Sequence, residues 1–238
     1  MKKILLSFVL ALTALTSHAW TQRPNFAQAQ CMTHAPYGFP QANPPTSPIC
    51  RQAYFVGYDA AAKLPRYVTY ELLPQNALGC VARTNAFAAD QVVPGGATPQ
   101  DYAGTGYDKG HMAPDGDQSW DTQVEFESFL MTNMSPQAGS LNRGIWKLLE
   151  TSVRGWVAER NQSYTIVSGG VYSQGDLIIG NGVLVPHAFY KIVINNQTKE
   201  VAGWMFPHVK PYPNLGNDLT KFRLPVAQIE QQAGVKYA

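Results

Sequence analysis

The chain has 238 residues, 45% hydrophobic and 14% charged, with a formal net charge of +2. That balance excludes a disordered polyelectrolyte and leaves enough apolar material for one domain with a buried core. The low net charge also excludes capture of anions by an overall field, so an anionic partner needs a local cluster of cations.

At the N-terminus, Lys2 and Lys3 precede an apolar run from Ile4 to Leu15, and Ser17, His18 and Ala19 offer cleavage positions. This is the pattern of a secretory signal peptide over residues 1–19, cleaved near Ala19 to leave a domain of residues 20–238. The run is short of the roughly 20 apolar residues that a membrane span needs. Losing the two lysines takes the formal charge from +2 to zero. Export to the periplasm or beyond exposes Cys31, Cys50 and Cys80 to oxidation. Pairing of Cys31 with Cys50 is favoured, because they bracket the proline-rich stretch HAPYGFPQANPPTSPI. Cys50 with Cys80, or no bridge, stays open, since spacing does not fix connectivity.

Residues 53–58 and 66–73 read as strands, with Val68, Tyr70 and Leu72 alternating with other residues. The Pro-, Gly- and Ala-rich residues 91–106 read as loop, residues 121–128 as a short helix, and 129–132 as a short buried strand. The clearest helix covers 142–160, where Ile145, Leu149, Val153, Trp156 and Val157 form an apolar stripe. Asn142, Trp146, Glu150 and Arg154 follow one another at intervals of four, and each step turns only about 40°, so they share a flank. By spacing alone the plainer account is a solvated face with a Glu150–Arg154 pair worth a few tenths of a kcal/mol. Strands return at 164–172, at 177–184 around Gly180-Asn181-Gly182, at 187–194 and at 201–206, and residues 222–234 close with a strand end and a short helix. The pattern predicts a single α+β domain with a largely antiparallel sheet.

The chain has no GxSxG elbow, no phosphate-binding P-loop and no histidine pair at metal-ligand spacing. What stands out is YDKGHMAPDGD at 107–117 and NMSPQAGSLNRGIWKLLE at 133–150. A lone histidine is more often structural than a general base. Asp115 and Asp117 are spaced as in a turn, His187 and His208 read as packing or surface groups, Lys191 as a solvated edge position, and Trp146 and Trp156 as core aromatics.

The two segments together resemble the DNA/RNA non-specific endonuclease family, secreted nucleases with a ββα-metal active site. The resemblance is carried by Asp108, Lys109, Gly110 and His111, then Asn133, Pro136 and Gln137, then Asn142, Trp146 and Glu150. It extends upstream to Arg83 in CVARTNAF and downstream to IVSGGVY, HAFYKIVI and FRLPVAQIEQQAG. Lys109 stands where the family commonly has arginine, which keeps the charge but loses the bidentate fork.

The resemblance implies His111 as general base and Asn142 as protein ligand to one Mg²⁺, or Mn²⁺, per site. It implies Glu150 and Asp108 as carboxylates reaching the ion through its waters, Arg83 and Arg154 as grips on phosphate, with Lys109 a looser contact, and Asn133 as an orienting residue. Gly110 is expected to allow close backbone approach at the cleft. The implied substrates are DNA and RNA, and the chain is expected as a monomer or homodimer. A catalytically inactive DNA-capture protein of the same fold is one alternative, a phosphodiesterase acting on small nucleotides another.

Overall fold

The computed structural model describes residues 28–237, so the expected leader, with its cleavage site near Ala19, lies outside the described residues. The strands are β1 (Gln41–Ala42), β2 (Ser47–Cys50), β3 (Phe55–Asp59), β4 (Leu64–Leu72), β5 (Tyr107–His111), β6 (Met134–Ala138), β7 (Tyr164–Val171), β8 (Ile178–Ile179), β9 (Val183–Leu184), β10 (Ala188–Asn195), β11 (Val201–Pro207) and β12 (Val235–Lys236). The α-helices are α1 (Asp115–Gln118), α2 (Thr122–Ser128), α3 (Lys147–Arg160) and α4 (Val226–Ala233).

Six strands form an antiparallel sheet in the order β11-β10-β7-β4-β3-β2. Alternation sends Val68, Tyr70 and Leu72 of β4 to the face packed by Leu149, Val153 and Val157 of α3. Tyr67 of β4 and Ile192 of β10 face the other way, onto Ile229 and Ala233 of α4. The sheet is thus the middle layer of three, and central strand β7 is buried along its whole length. Burying each of the three α3 side chains contributes about 1.5–3 kcal/mol, which clamps the helix to the sheet. Cys31 and Cys50 are bridged, with Cα atoms 5.8 Å apart, and Cys80 is free and exposed. Among the described residues no helix is long and apolar enough to cross a membrane.

Most strands and the helix at 121–128 lie where the periodicity predicts them. The helix begins at its cap, Asp121, whose Oδ1 accepts from Gln123 N at 2.8 Å and Val124 N at 2.9 Å. Two of the expected elements take another form. Residues 131–133 form a 3-10 turn in place of the expected buried strand; its apolar run is buried through tertiary packing, with only an isolated bridge from Ala88 to Leu130. The expected helix at 142–160 is two pieces: Leu141–Trp146 is π-helical with Gly144 at φ −98° and ψ −119°, and regular α3 follows. Interior glycine is the weak point at which such a helix changes geometry. Asn161, left-handed at φ 50°, ends α3.

Strands β1, β2, β5, β6 and β12 lie where the periodicity assigns no strand, and β6 contains Pro136, a residue that an interior strand would not tolerate. Strand β6 pairs only with β5, with Pro136 opposite Lys109, so the proline's missing N–H faces no second partner strand. This pair, a hairpin whose two strands are joined through residues 112–133, packs against β4 and carries Asp108, Lys109, Gly110, His111, Pro136 and Gln137 of the motifs.

Candidate active site

Strand β5 ends at His111, and Gly110 is required there for a reason other than substrate approach. A Cβ on Gly110 would run into the side chain of Gln137, which stands opposite Asp108 on β6 and reaches across diagonally. The glycine lets the hairpin close over a fully buried glutamine. Beyond His111 the chain turns through Met112–Pro114 into α1, and Asn133 holds that turn. Asn133 Oδ1 accepts from Ala113 N, and its Nδ2 donates to Ala113 O and Ser128 O, all at 2.8 Å. The residue is 0% exposed and is not among the residues that line the cavity described below, so it shapes the loop. Asn133→Ala should therefore lower stability by about 3 kcal/mol, since three buried backbone groups lose partners. Thermal melts check this: an unchanged Tm would contradict the clamp.

The imidazole of His111 is walled by Phe129, edge-on at 4.9 Å between centroids, and by Phe87 at 5.7 Å. Its Nε2 is buried without a hydrogen-bond partner. Burial, helped by the nearby Arg83 guanidinium, pushes its pKa down to about 3, so the ring is neutral and able to accept a proton across the physiological range. Desolvation overrides the ordinary imidazole value near 6.5.

Asn142 enters from the π-helical segment. Its Nδ2 donates to Asp108 Oδ2 at 2.9 Å, and Arg143 Nε stands 3.5 Å from the same oxygen. A carboxylate only accepts, so the amide must turn its NH₂ to Asp108 and its carbonyl Oδ1 away. Asp108 thus acts on Asn142 directly. Glu150 follows on α3, its Oε1 buried and unpartnered; burial raises its pKa to about 7 despite the opposing Lys191 charge.

Arg83 pairs with Asp115, donates through Nε to Asn85 Oδ1 at 2.7 Å, and covers the Phe129 ring at 4.8 Å. Arg154 Nη1 donates to Asp117 Oδ1 at 2.6 Å, and Asp117 Oδ2 accepts from Tyr70 at 2.6 Å. The spacing-based Glu150–Arg154 pair does not form. Asp117, buried on the sheet side, takes the arginine instead, and the flank is not a solvated face. Lys109 lies over Phe87 with Nζ 4.7 Å from the ring centroid.

Arg83, Lys109, His111, Asp115, Asn142, Arg143, Lys147, Glu150 and Arg154 all line one cavity of about 440 Å³. Five of these are cations and two are carboxylates. Arg143 and Lys147 were missed in the sequence, although they too stand four apart on the Asn142 side of the helix. Trp146 departs from its flank and packs into the core, 1% exposed. His208 is buried, with Nε2 accepting from Ala138 N at 2.8 Å, so it is a packing group, whereas His187 is a partly exposed group that contacts Asp176 at 2.9 Å; neither lines the cavity. Lys191 is the clearest correction: it is 1% exposed inside the sheet, not at a solvated edge. A larger cavity, about 740 Å³, opens beside Arg66 and Tyr172, but Arg66 there is engaged by Asp59 at 3.2 Å. Among the described residues, no cluster of three His, Cys, Asp or Glu side chains is arranged to hold a metal ion.

A family model described as DNA/RNA non-specific endonuclease matches residues 32–238. The chain belongs to that family. A nuclease of Nostoc sp. is 30% identical over 204 residues, covering 79% of this chain and 72% of the relative. Human mitochondrial endonuclease G is 28% identical over 206 residues, covering 79% of this chain and 68% of that one. The mouse mitochondrial nuclease EXOG is 27% identical over 219 residues, covering 84% of this chain and 59% of its own length. This chain therefore spans about three fifths of EXOG. Its fold is shared with the crystal structure of an EndoG/EndoGI complex, at TM-score 0.74 and 23% identity, over 87% of this chain and 91% of that one. As a family member it is an enzyme of the nuclease class, with a mixed, largely antiparallel fold.

Proposed function

We propose that this member of the family is an exported, metal-dependent endonuclease that hydrolyses phosphodiester bonds in both DNA and RNA. One observation carries the reading. A neutral imidazole with an unpartnered nitrogen and an amide carbonyl turned from its own carboxylate partner line one cavity walled by five cations.

A phosphodiester is an anion, so its hydrolysis needs a base for the attacking water and positive charge for the phosphoryl oxygens. His111 takes the proton. Arg83, paired with Asp115, and Arg154, held from outside the cavity by Asp117, grip the phosphate, and Lys109, Arg143 and Lys147 add charge. The oxygen donors fit a hard divalent cation such as Mg²⁺ or Mn²⁺: Asn142 Oδ1 would bind it, with the Glu150 carboxylate beside it and Asp108 fixing the Asn142 amide. When bound, such an ion would offset charge on the leaving oxygen. A neutral amide ligand leaves most of the ion's charge for substrate. Contacts made to phosphate and not to base edges carry no sequence information, which supports action on both nucleic acids. Export rests on Lys2, Lys3 and the apolar run that follows.

Digestion of supercoiled plasmid, single-stranded DNA and RNA across Mg²⁺, Mn²⁺ and Ca²⁺, with EDTA controls, tests the proposal. EDTA-sensitive cleavage of all three polymers supports it. Binding without cleavage would replace it with nucleic-acid capture, and turnover of a dinucleotide with the plasmid left intact would replace it with a small-substrate phosphodiesterase.

A further inference from the structure

Lys191 lies in β10, one strand in from the sheet edge, 1% exposed and on the face toward α3. Its Nζ donates to Ser168 Oγ at 2.6 Å, directly opposite on β7, and stands 4.4 Å from the Trp146 ring centroid. Neither neighbour carries a formal negative charge. Among the described residues no carboxylate is within 4.0 Å of this ammonium. Burying a charge costs far more than a hydroxyl and an aromatic face return, so the compensation must come from slightly farther away.

Two carboxylates are placed to act on it, Asp117 and Glu150. Asp117 is engaged on both oxygens, by Arg154 and by Tyr70. Glu150 has no ion-pair partner among the described residues, its Oε1 is buried and unpartnered, and it stands one helical turn beyond the Trp146 that Lys191 touches. Lys191 is the charge that acts most strongly on Glu150, and Glu150 the one that acts most strongly on Lys191.

We propose that Lys191 is a positioning residue of the nuclease site: its buried ammonium is the counter-charge of Glu150 and holds that carboxylate at the cavity floor, where a divalent cation would bind. The inference rests on the metal-dependent reading of the cavity. It assigns a purpose to a lysine that nothing at the sheet surface explains. It also explains how Glu150 stays in place without a direct partner.

A double-mutant cycle with Lys191→Met and Glu150→Gln tests the coupling in EDTA, at a pH of about 8, above the value of about 7 to which burial raises Glu150. Each single change strands a buried charge and should lower Tm by roughly 10 °C, and the double variant should recover at least about half of the summed loss. Additive shifts would overturn the proposal. Should Lys191→Met fail to fold, recovery of a folded double variant supports the pair, and its failure to fold overturns it. Mn²⁺ binding is then measured in the His111→Ala background, with and without Lys191→Met, in titrations that need no cleavage. Affinity should fall about tenfold or more, and an unchanged affinity would reduce Lys191 to a packing group. Wild type that cleaves while the shifts add sinks the pair alone; wild type that cuts no polymer while the cycle shows coupling sinks the nuclease reading alone.

Discussion

His111→Ala should lower the rate of plasmid cleavage by about 10²- to 10⁴-fold, the usual contribution of a positioned general base. Binding of a DNA duplex should change little, because the five cations at the cavity remain. Gel-shift titration beside initial rates separates the two quantities, and retained turnover would reject the role of His111. The same residue makes stability depend on pH. Its folded-state value of about 3 lies below the ordinary 6.5, so the neutral buried ring contributes fully above 6.5 and the contribution is lost as pH falls toward 3. Between pH of about 7.5 and about 5, wild type should lose about 2 kcal/mol relative to His111→Asn in denaturant titrations. A constant difference between the two would show that the imidazole titrates normally.

Asn142→Ala should raise the Mg²⁺ concentration for half-maximal cleavage by at least about tenfold, the smaller end of what losing even a partner of a metal ligand costs. His111→Ala should leave that midpoint where it was, so the two variants separate proton transfer from cation binding. Asn142→Asp is the sharper control. It keeps an oxygen donor but removes the N–H₂ that satisfies Asp108, placing two carboxylates side by side. Activity of Asn142→Asp should then fall with a raised metal midpoint, despite the added negative charge that would ordinarily tighten a divalent ion. A midpoint unmoved in both variants would remove Asn142 from the cation site.

Both predictions depend on segments far apart in the chain. Asp108 and His111 come from β5, Asn142 from the π-helical turn, Glu150 and Arg154 from α3, and Arg83 from a loop before them all. The hairpin and the helix bring them together because β6, which begins beside Asn133, leads within a few residues into the Asn142 turn. The motif spacing therefore reflects the length of chain needed to run along β6 and enter the helix.

Much of this was legible in the residues themselves. Alternation in 66–73 and the stripe from Ile145 to Val157 follow from backbone geometry, which repeats every two or 3.6 residues whatever surrounds it, and the structure keeps both. The paired motifs pointed to the family and to Lys109, His111, Asn142 and Glu150 of the cavity lining, and the wider resemblance to Arg83 and Arg154, because chemistry limits which groups can serve as base, cation ligand and phosphate grip. Burial was not legible, since it depends on what distant segments pack against a residue. Lys191 sits in a sequence that suits an edge strand as well as an interior one, and only the position of β10 inside β11, with Trp146 above it, takes its ammonium out of water. The neutral state of His111, the engagement of Arg154 by Asp117 and the clamp made by Asn133 were decided in the same way, by desolvation and by partners supplied from other elements.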